Sequence, residues 1–160
     1  MLGVLIGVAL TNLWRFVTRA HPLDALTGVP GRDAVHAALR DLRDGDAVVM
    51  LDLDDLKRTN DSAGHDAGDA LLTATAAYLA SSVRSRDTVA RWGGDEFVVV
   101  LRDGGGAAAD VVERLRAGAP TNFSAGIATH HDGDGQATLR RADAALLAAK
   151  RAGGHRVMTG

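Results

Sequence analysis

Two stretches of the sequence decide the fold: Ala47–Leu53, which reads AVVMLDL, and Thr88–Leu101, which reads TVARWGGDEFVVVL. The first is a short and nearly continuous apolar run, which is typical of a strand buried on both faces. The second contains two apolar segments separated by Gly93-Gly94, a glycine pair of the kind that closes tight hairpins. Together the two stretches predict a buried central strand and a β-hairpin.

Segments with helical or strand-like spacing surround these two stretches. The predicted helices are Arg32–Leu42, Asp66–Val83, Ala107–Ala117 and Ala137–Arg151. The predicted strands are Ala47–Leu53, Thr88–Trp92, Glu96–Leu101, Thr121–His130 and a short terminal one near Arg156–Met158. The polar segment Lys57–Asp61 is predicted to be a turn or a short helix. The core order β-α-β-β-α-β predicts an α+β, ferredoxin-like (split βαβ) palm, with a mainly antiparallel sheet flanked by helices.

This topology brings acidic residues together at one edge of the sheet. The helical crossover makes the first strand and the first hairpin strand parallel, so a second hairpin strand between them runs antiparallel to both. Asp52 at the end of the first strand then meets Asp95 at the start of the second hairpin strand, and Asp54 shares the side of Asp52. Because Mg²⁺ prefers oxygen ligands, the candidate ligands are Asp52, Asp95, Glu96 and the Leu53 carbonyl. Solvated loop residues are the alternative interpretation.

Composition excludes several classes of protein. The chain has 160 residues, no cysteine and a formal net charge of −2. That length suits one domain with a substantial core. The lack of cysteine excludes a disulfide framework and a thiolate zinc site. The near-neutral charge argues against a nucleic-acid polymer as the partner.

Several motifs match a known family in order and spacing. They are Asp24–Arg32 (DALTGVPGR), Asp52–Lys57 (DLDDLK), Asn60–Asp69 (NDSAGHDAGD), Gly93–Phe97 (GGDEF), Arg141–Asp143 (RAD) and Ala149-Lys150. This set resembles the motifs of the GGDEF-domain diguanylate cyclases, and it extends from Asp24 to Lys150. The resemblance implies a palm like that of other nucleotide cyclases. It also implies that two GTP molecules condense into cyclic di-GMP and two pyrophosphates.

The resemblance implies a role for each matching position. Asp95 and Glu96 are the implied catalytic residues, and the implied ligands of two Mg²⁺ (or Mn²⁺) ions are Asp52, the Leu53 carbonyl, Asp95 and Glu96. The implied substrate-binding residues are Asn60 and Asp69 for guanine, Lys57 and Lys150 for phosphate, and Gly93 and Gly94 for close approach of the nucleotide. On residue type alone, the two lysines would be ordinary surface side chains.

A second site is implied by Arg84-Ser85-Arg86-Asp87, which fits the R-x-x-D motif that binds the product as an inhibitor in this family. Arg114 is a further candidate contact. Arginine presents a planar fork to guanine O6 and N7, and an aspartate accepts from guanine N–H groups. An ordinary cluster of charges at a helix end is the alternative. Because one such active site holds one GTP, the active form is expected to be a two-fold homodimer.

The match is incomplete at Gly154, where the family often has a basic phosphate ligand; Arg151 and Arg156 are candidate substitutes.

Two other functions stay open. One is a regulatory module that binds GTP or cyclic di-GMP without turnover. The other is a related cyclase with a different product, which would require other base-reading residues than Asn60 and Asp69.

The first residues form a separate problem. Met1–Trp14 carries no charge, and its apolar run is shorter than the roughly 20 residues that span a membrane. The end of a membrane helix, an interfacial anchor and a helix packed on a second copy are the three interpretations. We therefore divide the chain into residues 1–21, an apolar helix or linker, and residues 22–160, the GGDEF catalytic domain. The expected location is the cytoplasm, with the inner face of the membrane as a possible tether site.

Overall fold

The computed structural model describes residues 21–160, so the expectations for Met1–Trp14 lie outside the described residues. The helices are α1 (Arg32–Arg40), α2 (Leu56–Ala63), α3 (His65–Ser82), α4 (Ala108–Gly118) and α5 (Gly135–Arg151). The strands are β1 (Ala47–Leu53), β2 (Thr88–Gly93), β3 (Glu96–Leu101), β4 (Phe123–Thr129) and β5 (Val157–Thr159). In the range 21–160, no helix is long and apolar enough to cross a membrane.

The strands form one sheet in the order β2-β3-β1-β4-β5. β3 lies between β2 and β1 and is antiparallel to both, while β5 adds to β4 in parallel. The predicted split βαβ arrangement is therefore confirmed. The hairpin differs in detail, because Gly93 still pairs with Glu96 and the turn consists of Gly94 and Asp95. Asp95 thus lies in the turn, one residue before the strand that it was expected to open.

The sheet buries both of its faces, because successive side chains of a strand point to opposite sides. One face packs Val49, Leu51 and other apolar residues of the strands against α3 and α4. The other face packs Val48 and Met50 against α1 and α5. Asp52 follows Val48 and Met50 by the same alternation, so it lies on the face that α5 covers.

Several boundaries differ from the sequence-based expectation, and three of them have a local reason. The polar segment Lys57–Asp61 belongs to a full helix, α2, which ends at Gly64 with a positive φ of 87°. α5 begins two residues early because the Asp134 side chain caps it by accepting from the Gln136 N–H. β4 begins at Phe123, opposite Leu53, because its partner strand β1 ends there.

Candidate active site

Acidic residues from β1 and β3 meet at one edge of the sheet. Asp52 is the register partner of Glu96 across the antiparallel pair. The backbone N–H of Leu53 donates to the Asp95 carbonyl at 3.1 Å, so the hairpin turn lies directly against the end of β1. The structure therefore brings together the four residues that the sequence suggested as metal ligands.

Burial and neighbouring negative charges raise the pKa values of two carboxylates at this edge, Asp52 and Glu96. Burial is the largest influence on Asp52, and the nearby charges of Asp95 and Asp54 raise its pKa further, against the opposing effect of Lys150. Burial likewise raises the pKa of Glu96, with added repulsion from Asp52 and Asp95. A site that crowds negative charges in this way favours binding of a cation.

Lys150 supplies a cation from the protein itself. Its Nζ contacts Oδ1 of Asp52 and lies 2.8 Å from Oδ1 of Asp54. Burial would lower the pKa of Lys150, but its hydrogen bonds to the two carboxylates raise it above its usual value. The ammonium therefore stays charged and lies at the same edge as the candidate metal ligands.

Asp54 also contacts Ser124, a residue that the sequence analysis did not identify. The Ser124 hydroxyl donates to Asp54 Oδ1 at 2.8 Å, and the His155 N–H donates to Oδ2 at 3.1 Å. Strand alternation predicted only that Asp54 shares the side of Asp52. The pairing of Asp54 with a serine far along the chain had no sequence signal, since it depends on the β1–β4 register.

The donor set fits a divalent metal that shares its coordination with a nucleotide. Among residues 21–160, no three acidic or histidine side chains form a metal cluster by themselves. Asp52 and Asp95 still offer two carboxylates at one edge, and Mg²⁺ is usually bound by one or two carboxylates together with substrate phosphates and water.

A buried polar atom marks a second part of the site, between α2 and α3. The side-chain oxygen Oδ1 of Asn60 is buried without a hydrogen-bond partner. It lies so close to Gly68 that a Cβ at that position would collide with it. Asp69 follows Gly68 and is exposed, and Lys57 is exposed on α2. The two residues that the resemblance assigns to guanine thus differ, since Asn60 has an unpaired buried acceptor and Asp69 has an exposed carboxylate.

The hairpin glycines have different surroundings. Gly94 has a φ of +52°, a conformation that favours glycine, and open space where a Cβ would be. The corresponding space at Gly93 is filled instead, since a Cβ there would lie 3.0 Å from a guanidinium nitrogen of Arg32. Arg32 also stacks on the Trp92 ring, with its guanidinium carbon 4.9 Å from the ring centre. Gly93 therefore lies beside the flexible end of the Arg32 side chain, and its implied role in the approach of the nucleotide stays a prediction.

Arg91 fixes the turn from the other side. Its guanidinium donates to the Gly94 carbonyl at 2.7 and 3.0 Å and pairs with Asp24 at 3.0 Å. Asp24 in turn accepts from the backbone and side chain of Thr27. These bonds connect the opening turn of the described chain to the hairpin.

The predicted inhibitory residues also come together. Arg84, Asp87 and Arg114 line one surface pocket between the end of α3, the end of β3 and α4. The Asp87 carboxylate accepts from the backbone N–H groups of Arg84 and Arg102, both at 2.9 Å. Those bonds order the loop and leave further lone pairs of the carboxylate for a ligand.

This fold is that of the ferredoxin-like palm domains of nucleotide cyclases. Residues 21–156 match the family described as "Diguanylate cyclase, GGDEF domain", and the chain belongs to that family.

Named relatives agree with this assignment. The chain is 41% identical over 155 residues to the diguanylate cyclase DgcP of Pseudomonas aeruginosa, covering 84% of this chain and 23% of that protein. The chain therefore spans about a quarter of the length of that relative. Its structure is similar to that of the diguanylate cyclase SiaD of Pseudomonas aeruginosa, solved in complex with its activator SiaC. The TM-score is 0.80 at 32% identity, and the match covers 98% of this chain and 70% of the SiaD chain. It is also similar to the GGDEF domain of DgcB from Caulobacter crescentus in complex with c-di-GMP. The TM-score is 0.77 at 29% identity, and the match covers 86% of this chain and 94% of the DgcB chain.

Proposed function

We propose that this chain is a diguanylate cyclase, which condenses two GTP molecules into cyclic di-GMP and two pyrophosphates. The observation that carries the proposal is the convergence of Asp52, Asp95 and Glu96 at one edge of the sheet. The buried acceptor of Asn60 supports guanine as the base, because guanine carries N–H donors on its Watson–Crick edge. A base without a suitably placed N–H donor would leave this buried acceptor unpaired, so the site would discriminate against that base.

Each of the two steps forms one bond and breaks one. The 3′-oxygen of one GTP bonds to the α-phosphorus of the other, the bond from that phosphorus to the β-phosphate oxygen breaks, and pyrophosphate leaves. We assign the hydroxyl proton to Glu96, the carboxylate that pairs in register with Asp52 at the site. Lys57 and Lys150 stabilise the phosphate charge.

Asp52, Asp95 and the Leu53 carbonyl would hold two Mg²⁺ ions, with Glu96 assisting and with Mn²⁺ as an alternative metal. Bound metal of this kind neutralises the charge that develops on the phosphoryl oxygens. Asn60 and Asp69 orient the base, and Gly94 leaves space against the hairpin. Two such half-sites must face each other, so the proposed active form is a two-fold homodimer. Because GTP is supplied inside the cell, we place the reaction in the cytoplasm.

The direct test is to incubate the purified chain with GTP or with ATP in the presence of Mg²⁺ and to analyse the products by mass spectrometry. We expect cyclic di-GMP from GTP only. Asp95→Ala should abolish the product, whereas Asp110→Ala, which removes an exposed carboxylate on α4, should not. If GTP binds but no product forms, the chain is a nucleotide-binding regulatory module instead.

We also propose that Arg84, Asp87 and Arg114 bind cyclic di-GMP as an inhibitor. We expect Arg84→Ala to raise specific activity, because accumulated product no longer inhibits the enzyme. Arg140→Ala is the control, since Arg140 is exposed on α5 and lies outside that pocket. Unchanged inhibition by added cyclic di-GMP in Arg84→Ala would refute this site.

A further inference from the structure

Asp54 differs from the other carboxylates at the sheet edge because protein donors surround it. Its side chain is only 8% exposed. It accepts hydrogen bonds from the Ser124 hydroxyl at 2.8 and 3.1 Å, from Lys150 Nζ at 2.8 Å and from the His155 N–H at 3.1 Å. These donors come from β4, from α5 and from the turn that follows α5. Little of the carboxylate is left for another ligand.

Asp52 has a different environment on the same side of the same strand. Its side chain is 20% exposed, and Lys150 is the side-chain donor that contacts it within the described chain. It also lies next to Asp95 and Glu96, whereas Asp54 lies beyond the end of β1. The two aspartates therefore differ in what they can bind, although they are two residues apart.

Ser124 joins Asp54 to the turn after α5. Its hydroxyl donates to Asp54 while it accepts from the His155 N–H at 3.0 Å. Gly154 allows this close approach, because it has a φ of +73° and a Cβ there would lie 3.3 Å from Asp54 Oδ1 and 3.4 Å from Ser124 Oγ. The helix end that carries Lys150 is thus tied to the end of β1 at one carboxylate.

We propose that Asp54 is the positioning residue for Lys150, and that it holds the lysine ammonium in reach of the triphosphate instead of binding metal. This inference rests on the proposed function and extends it. Asp54 keeps its contact with Nζ when the lysine exchanges Asp52 for phosphate. The role bears on this chain because Gly154 provides no basic side chain where the family often has a phosphate ligand.

A double-mutant cycle tests the coupling between the two side chains. The probe is 3′-deoxy-GTP with Mg²⁺, which binds like the substrate but has no 3′-hydroxyl to react, and its affinity is measured by calorimetry. We expect Asp54→Asn and Lys150→Met each to weaken binding about tenfold, as is typical for one hydrogen bond to a charged group. Because Asp54 acts through Lys150, the double variant should bind no more weakly than Lys150→Met alone. Independent losses that multiply to about a hundredfold would overturn the inference.

A metal titration tests the other half of the inference. Mn²⁺ is titrated into protein saturated with 3′-deoxy-GTP and followed by electron paramagnetic resonance. We expect Asp54→Asn to keep its Mn²⁺ affinity within about twofold of the wild type, and Asp52→Asn to lose about tenfold or more, one lost charged ligand being worth at least that factor. Equal losses in the two variants would make Asp54 a metal ligand and overturn the assignment.

A second substitution guards against misfolding. Ser124→Ala removes the hydroxyl that orients Asp54 and leaves both charges in place. Ser124→Ala should weaken 3′-deoxy-GTP binding when it is made in the wild-type protein but not when it is added to Lys150→Met. The thermal stability of Lys150→Met should be the same with and without Ser124→Ala. If the wild-type chain binds no 3′-deoxy-GTP, the proposed function fails as well. If it binds but the losses are independent, this inference alone fails.

Discussion

Replacing Asn60 by alanine should stabilise the free protein while it weakens GTP binding. Asn60 lies within α2, and its Oδ1 is buried without a partner. An unsatisfied buried acceptor costs about 1–3 kcal/mol, and alanine gains about 0.6 kcal/mol over asparagine in helix propensity. Lost packing against Gly68 offsets part of this gain. We therefore expect a net gain of about 1 kcal/mol in unfolding free energy, or roughly 2–4 °C in Tm for a chain of this size.

The same substitution removes the acceptor that we assign to a guanine N–H. Loss of one such bond should weaken 3′-deoxy-GTP binding about tenfold. It should also narrow the preference for the guanine over the adenine nucleotide.

Ser62→Ala provides the matched control, because Ser62 is exposed on the same helix and its substitution brings a similar gain in helix propensity. Thermal unfolding without nucleotide and calorimetry with nucleotide give the two readouts. A Tm for Asn60→Ala that lies below that of the wild type, or nucleotide affinity that is unchanged, would refute the reasoning from the buried acceptor.

Two further substitutions test the framework that carries the site. Gly126→Ala should destabilise the chain by about 3 kcal/mol or more in urea unfolding, because the added Cβ would collide with the backbone of α5. Gly106→Ala is the control, because a Cβ at that position meets open space. Equal stability of the two variants would contradict the packing argument. Burial would raise the pKa of Asp46, but two backbone N–H groups and the Arg102 guanidinium, 2.8 Å away, lower it below its ordinary value of 3.8. This carboxylate therefore contributes stability above about pH 4 that is lost as the pH falls through its folded-state pKa. Asp46→Asn should flatten that acid-side slope, and an unchanged slope would show that other groups produce it.

The sequence predicted the sheet and the meeting of Asp52 with Asp95 because both follow from local patterns and one topological rule. Apolar runs define the strands, and the crossover rule fixes their directions. The details that it missed depend on long-range register. The bonds of Asp54 with Ser124 require β1 and β4 to pair in one alignment. The packing of Arg32 against Gly93 requires α1 to lie over the hairpin, which no spacing in the sequence specifies.

The burial of the Asn60 side chain was also beyond sequence reasoning. The motif resemblance implied that Asn60 reads a base, but only the packing of α2 on α3 shows that its oxygen is buried against Gly68. In the same way, the resemblance implied a phosphate contact for Lys150, and the structure adds two carboxylate contacts for the same ammonium. Ion pairs between distant segments have no local signature.

The seating of α5 on β4 has a consequence for how the domain tolerates sequence change. At Gly126 the main chains of helix and strand touch with no side chain between them, since a Cβ would meet the Ala142 carbonyl and the Leu146 amide. This backbone contact therefore sets how closely α5, the helix that carries Lys150, lies against the sheet. Substitution of neighbouring apolar residues should therefore leave the position of the Lys150 amine unchanged, as long as residue 126 remains glycine.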